Sequence, residues 1–177
     1  GVGMFIQDGI IDKSSYSRFT LKLNNTYNLS PHIRLGNNLT LAPYRQENAP
    51  NVTYSAYRAQ PLLKPFYDDN SFAVVYNVGN PLADLSYSNN FGKGIRGVGN
   101  IFAEAAFLKS FTLRSSLGVD ASYNKSSNFT PAYTVYNPDG TASQQQNVLS
   151  DLFKGNSENL TWLWENTLAF KKTFSDI

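Results

Sequence analysis

Three groups of residues and one lone histidine in this 177-residue chain have types that would do chemistry if the fold assembled them. Gly92, Gly94 and Gly97 form a literal GxGxxG, which cradles a pyrophosphate when it closes a strand and opens a helix. No strand–turn–helix pattern surrounds it here, and glycines at a strand start beside a loop account for it. Asp68-Asp69 is a carboxylate pair of the kind used for acid–base work or calcium. It has no further acidic ligand nearby, so a solvated pair is expected. His32 is the single histidine, it follows Pro31 in a tight turn, and there is no cysteine. That leaves no thiolate zinc site, no cysteine nucleophile and no histidine-dependent triad. No catalytic residue, metal or cofactor is therefore expected, and the chain reads as a non-enzyme. The third group is aromatic: Tyr54, Tyr57, Phe66, Tyr67, Phe72 and Tyr76 crowd one non-periodic stretch. Of these, Tyr57, Phe66, Tyr67 and Tyr76 are candidate contacts for a ligand or partner, by stacking on sugar rings or gripping a peptide. Folding the stretch against itself explains them equally well.

Composition narrows the class. Charged residues make up 16% of the chain, against about 25% in ordinary soluble domains, while aromatics reach 14%. The net charge is +2 without a basic cluster, so no nucleic-acid partner is expected. Sequons start at Asn24, Asn28, Asn38, Asn51, Asn124, Asn128 and Asn159, but a chain this rich in Asn, Ser and Thr generates them by composition, and several fall where strands are expected. No apolar run approaches the ~18 residues of a membrane helix. The chain opens Gly1-Val2-Gly3, without an initiator methionine or signal peptide, and reads as a processed or truncated piece.

The elements that must position these residues show period-two alternation. From Phe111 to Tyr123 the odd positions carry Phe111, Leu113, Leu117, Val119, Ala121 and Tyr123, with Ser115 the polar exception. The even positions carry Thr112, Arg114, Ser116, Gly118, Asp120 and Ser122. On a strand the two sets face opposite sides. The same alternation predicts strands near 16–29, 33–43, 95–108 and 159–173, with a weaker one at about 2–11. Arg18, Lys22, Arg34, Glu104, Arg114, Asp120, Glu165 and Lys171 all fall opposite the aliphatic face, whereas Asn25, Asn37 and Asn166 fall on it.

Tight turns at Ser30-Pro31-His32 and Leu108-Lys109-Ser110 alternate with long excursions at about 42–94 and 124–158, the latter holding the turn signal Asn137-Pro138-Asp139-Gly140. Short turns at one end and long loops at the other are the layout of an antiparallel transmembrane β-barrel. The whole chain, 1–177, reads as part of one such barrel domain, about six strands of a larger barrel in the bacterial outer membrane. Arg18, Lys22, Arg34, Glu104, Arg114, Asp120 and Glu165 would face the lumen, in salt bridges to the wall or a plug rather than on substrate. Interfacial aromatic girdles would comprise Tyr27, Phe107, Phe111 and Phe174 at the short-turn side and Tyr44, Tyr123, Trp162 and Trp164 at the long-loop side. A small stand-alone barrel or adhesin, and a soluble carbohydrate-binding β-sandwich, remain alternatives.

The run Gly9-Ile10-Ile11, then Tyr16-Ser17-Arg18-Phe19-Thr20-Leu21-Lys22-Leu23-Asn24 and Ile33-Arg34-Leu35-Gly36-Asn37-Asn38-Leu39, resembles the barrel of SusC/RagA-type TonB-dependent transporters of Bacteroidetes. Asn80-Pro81-Leu82, Arg96-Gly97-Val98-Gly99-Asn100, the stretch from Phe107 to Asp120, Phe129-Thr130-Pro131, Trp164-Glu165-Asn166-Thr167-Leu168 and Lys172-Thr173-Phe174 continue the resemblance in order. Each motif is loose by itself; their order and spacing carry the likeness. It implies a 22-stranded barrel with an internal plug, a SusD-like surface lipoprotein partner, energy passed through the TonB complex, outer-membrane lipid around the wall, and import of glycans, oligosaccharides or peptides. The plug and the TonB-contacting segment have no counterpart in these residues.

Overall fold

The computed structural model describes residues 1–173. The chain is all-β, with long strands β1 (Val2–Asp8), β2 (Ser15–Ser30), β3 (Ile33–Glu47), β4 (Asn89–Phe107) and β5 (Phe111–Thr130), a short pair β6 (Tyr133–Tyr136) and β7 (Ala142–Asn147), and β8 (Asp151–Phe170). Two brief helices, α1 (Thr53–Arg58) and α2 (Pro81–Tyr87), lie between β3 and β4. The six long strands form one antiparallel sheet in the order β1-β2-β3-β4-β5-β8, and β6 and β7 pair separately. The sheet is open, as a section of barrel wall is.

Every strand expected from alternation is present. The register confirms the two faces, because residues opposite each other share a side of the pleat. Leu113 stands between Ala105 and Leu168, and Val119 between Gly99 and Trp162. On the other side Arg34, Glu104 and Arg114 stand in line across β3, β4 and β5. The strands run further toward the long-loop end than the alternation does, so their connections cover 48–88 and 131–150. At the opposite end Leu108 and Lys109 both take positive φ, 48° and 57°, and close β4 onto β5.

Among the described residues, all of the buried hydrophobic ones, Val52, Ala73, Val75, Ala83 and Val135, belong to the loops. The aliphatic face of the sheet has no cover: Ile101 is 60%, Leu160 69% and Trp162 66% exposed. No second sheet packs on it among the described residues, which is what a soluble sandwich would require. From Phe111 to Tyr123 is twelve residue steps, ~40 Å along a strand and ~30 Å in height at the ~40° tilt of barrel strands, enough for the apolar band of a bilayer.

Close approach fixes one glycine. Gly36 is buried beneath the Phe102 ring on the polar face, and a β-carbon there would overlap that ring and stand 2.9 Å from the Asn25 carbonyl. The Phe102 ring also carries the Arg114 guanidinium, 4.1 Å from its centroid. Gly36→Val is expected to displace the ring and lower stability by about 1–3 kcal/mol, read as a lower denaturation midpoint in detergent; an unchanged midpoint would mean the ring moves freely.

Candidate functional site: the polar face and the loop cluster above it

Two ion-paired groups organise the polar face. Near the short-turn end, the Glu104 carboxylate accepts from Arg34 through Nε at 2.7 Å and through a second guanidinium nitrogen, and from Arg114 Nη1 at 2.7 Å. Its side chain is only 12% exposed, against 50% and 40% for the two arginines. Higher up, Arg96 grips Asp120 with both arms, Nε to Oδ1 at 3.0 Å and Nη2 to Oδ2 at 2.5 Å. Arg18 and Lys22 form no ion pair among the described residues.

A concavity of about 340 Å³ lies beside the upper pair, lined among others by Tyr16, Arg18, Tyr44, Arg96, Asp120 and Asn124. Tyr16 and Tyr44 stack at 5.9 Å, and the Tyr44 hydroxyl donates to Asn124 Oδ1 at 2.9 Å. Gly94 makes room for this contact, since a β-carbon there would stand 2.5 Å from Asn124 Oδ1 and 2.6 Å from the Tyr123 carbonyl. The GxGxxG therefore lies inside β4, with no helix after it, and its middle glycine serves cross-strand packing. Rings, a guanidinium, a carboxylate and an amide together can hold a sugar or a peptide by stacking and hydrogen bonds.

The loops above are built around one side chain. Asn80, fully buried, caps α2 by accepting from the Leu82 amide at 3.0 Å, with Pro81 opening the helix. Its Nδ2 donates to the carbonyls of Pro65 at 2.7 Å and Ala73 at 2.9 Å. Gln145 of β7 completes the junction: its Oε1 accepts from the Asn80 amide at 2.7 Å, and its Nε2 donates to the Asn80 carbonyl at 3.0 Å and to Asp84 Oδ1 at 2.9 Å. Tyr133 stacks on Tyr87 at 4.2 Å and donates to Asp84 Oδ1 at 3.2 Å. Lys13 Nζ ties the β1–β2 connection to this cluster through the carbonyls of Ser86 at 2.7 Å and Ser88 at 2.9 Å. A cleft of about 540 Å³ opens between residues 74–79 and the β6–β7 hairpin.

Burial, and then the negative charge of Asp84, raise the Tyr133 phenol above its ordinary value. An acid whose folded value is raised contributes stability below its unfolded value, near pH 10, and loses it as pH rises through the folded one. The absorbance titration of wild type minus Tyr133→Phe should place this ionisation above the ordinary tyrosine range. Ionisation at or below that range would mean that the hairpin does not dock on α2.

The loop aromatics divide. Tyr67 accepts from the Val74 amide at 3.1 Å and Phe66 packs on Phe72 at 5.3 Å, so these two fold the loop on itself. Tyr57 and Tyr76 stay open to solvent at 87% and 69%, and Tyr76 borders the cleft. Asp68 and Asp69 bind no common site: Asp68 stands 3.5 Å from Lys64, and Asp69 accepts from the Ser71 hydroxyl and amide, which hold its carboxyl below the ordinary range. His32 sits in the tight turn, its amide donating to Ser30 Oγ at 3.2 Å.

Arg18, Lys22, Arg34, Glu104, Arg114, Asp120 and Glu165 all lie on the polar face by register. Among the expected girdle residues, Phe107 and Phe111 stack at 5.7 Å at the short-turn end, and Tyr123 ends the apolar run at the other. Tyr27 stands opposite Leu35, and Trp162 opposite Val119, both on the apolar face. Tyr44 is a correction: it stands opposite Arg18, on the polar side, because its even position gives it the parity of Arg34 and not of Leu41. Trp164 is a second correction. It faces Leu117, midway along the apolar run, with its indole donating to Ser115 Oγ at 3.0 Å. The strands extend past the point where the long loop was expected, so this ring lies deeper than its distance along the sequence implies. Phe174 lies outside the described residues. Sequence reasoning missed Arg96, Asn80 and Gln145. Arg96 has the even parity of the other polar-face charges, a usable signal; Asn80-Pro81 signals a helix cap but not its buried partners, and Gln145 carried no signal.

No family model matches the sequence, and no curated protein does. Among solved structures the chain is similar to one described as the structure of the RagAB peptide transporter, with a TM-score of 0.56 and 13% sequence identity. The likeness covers 97% of this chain and 28% of the other, so the chain spans little more than a quarter of the structure it matches, and the likeness is one of fold.

Proposed function

We propose that the chain is a section of the wall of a SusC-like, TonB-dependent transporter in the bacterial outer membrane. One observation carries this reading: a single sheet bears an uncovered aliphatic face on one side and an ion-paired polar face on the other. Lipid suits the first face and a hydrated lumen the second. The open edges at β1 and β8 would leave unpaired backbone groups in lipid, so the proposed wall continues in further strands, 22 in all by the family resemblance. A fold shared with part of a peptide transporter supports peptides as the cargo; glycans and oligosaccharides rest on the sequence resemblance alone. The wall contributes no covalent chemistry. Arg18 and Lys22, which form no ion pair among the described residues, would meet a plug, and the loop cluster, with exposed Tyr57 and Tyr76, would be the surface offered to a SusD-like lipoprotein. TonB would act on a plug outside these residues.

The test is the intact mass of the protein extracted from its native membrane in detergent. A mass several times 19.7 kDa, with a lipoprotein co-purifying, is expected. Recovery at 19.7 kDa in detergent-free buffer would overturn the reading.

A further inference from the structure

Beyond the last apolar row, the aliphatic face turns cationic. Arg45, Lys93 and Lys125 stand directly opposite one another on β3, β4 and β5, one pleat above the row of Pro43, Ile95 and Tyr123. All three are exposed. Adjacent strands lie ~4.8 Å apart, so three positive side chains rise from a ~10 Å span. Like charges directly opposite on a ladder are destabilising.

The chain offsets this repulsion only in part. Glu47 stands 3.0 Å from Arg45, and Lys125 lies over the Tyr123 ring at 5.2 Å. Neither lysine has an ion pair among the described residues. On β8 the neighbours in register are Asn156 beside Lys125 and Glu158 beside Tyr123. Ammonium and guanidinium groups only donate, so the complement is an anion with several acceptor oxygens that can bridge adjacent strands. One pleat beyond the apolar run is ~5 Å in height, the depth of lipid headgroups.

We propose that Arg45, Lys93 and Lys125 form a seat for the phosphate of an outer-leaflet lipid, most simply a phosphorylated glycolipid, on the outside of the wall. The proposal rests on the wall reading. It concerns the face turned away from the polar concavity, so cargo does not reach it.

The test uses the whole protein in detergent, with lipid A and enzymatically dephosphorylated lipid A as probes and bound lipid counted by native mass spectrometry. The double variant Lys93→Gln/Lys125→Gln is expected to bind lipid A ~30-fold more weakly, equivalent to ~1 kcal/mol per lysine, and dephosphorylated lipid A as wild type does. Lys154→Gln, on the same face outside the row, should bind both as wild type does. Normal membrane partition with unchanged lipid A affinity in the double variant overturns the seat alone. So does equal binding of both probes by wild type, or displacement of lipid A by millimolar inorganic phosphate. Wild-type protein recovered from the detergent-free soluble fraction overturns the wall reading and the seat together.

Discussion

Glu104→Ala is expected to lower the stability of the sheet by about 2–3 kcal/mol, the largest effect of any single change on the polar face. The carboxylate accepts from Arg34 and Arg114 at once, from strands on either side of its own. Its removal leaves two guanidinium groups facing one another across the gap with no anion between them. Breaking a fully buried pair costs about 3–5 kcal/mol; the exposure of the arginines reduces that, and the near burial of the carboxylate keeps most of it. Glu104→Gln preserves the packing and two acceptor lone pairs while losing the charge, so it should fall between alanine and wild type. Arg114→Ala should cost less than Glu104→Ala, because Arg34 still neutralises the carboxylate. Denaturant midpoints of the detergent-solubilised barrel, followed by heat-shifted gel mobility, give the ranking. Wild-type midpoints for both Glu104 variants would mean that the cluster contributes nothing.

Asn80→Ala should act on a different part of the molecule. The side chain feeds two carbonyls and caps one helix from a site without solvent access. Alanine strands the Ala73 carbonyl and the Leu82 amide, at about 1–3 kcal/mol for each buried group left unpaired. The loop cluster has only a handful of buried apolar residues to hold it, so that loss is comparable to its own stability. The expected outcome is rapid proteolysis and fast hydrogen exchange across 48–88 and 131–150, with the strand content of the sheet unchanged. Gln145→Ala should reproduce part of this, since it removes the partner and leaves the cap. Protease resistance equal to wild type in both would show that the loops are held elsewhere.

In the proposed wall, the sheet is legible because two solvents impose opposite demands on one strand. Wherever lipid meets one face and water the other, alternation follows, and from Phe111 to Tyr123 it fixes strand, parity and the facing of Arg114 and Asp120 together. Above Tyr123 both faces turn polar. Lys125, Ser126, Ser127 and Asn128 no longer alternate in polarity, yet each stays paired with β4 and β8 through the backbone. Hydrogen bonding does not need hydrophobic periodicity, and the strand ends were therefore placed too early. That error moved Trp164 upward in the sequence reading. Tyr44 differs for another reason: its ring type suits a girdle, but its even parity turns it to the side of Arg18. The loop cluster was illegible because its order comes from one buried amide and a glutamine 65 residues away. Asn80-Pro81 announces a helix cap, but nothing local names its second partner.

The extension of β5 to Thr130 sets the height of the mouth. Seven residues past Tyr123 amount to ~23 Å of strand, or ~18 Å of elevation at a ~40° tilt. The headgroup layer takes up only ~5–8 Å of this. In the proposed orientation the wall thus becomes a plinth, lifting the loops by about a Debye length clear of the lipid phosphates. An acidic peptide or sugar approaching the cleft would meet loop side chains in bulk electrolyte, with the repulsion of the bilayer surface already screened.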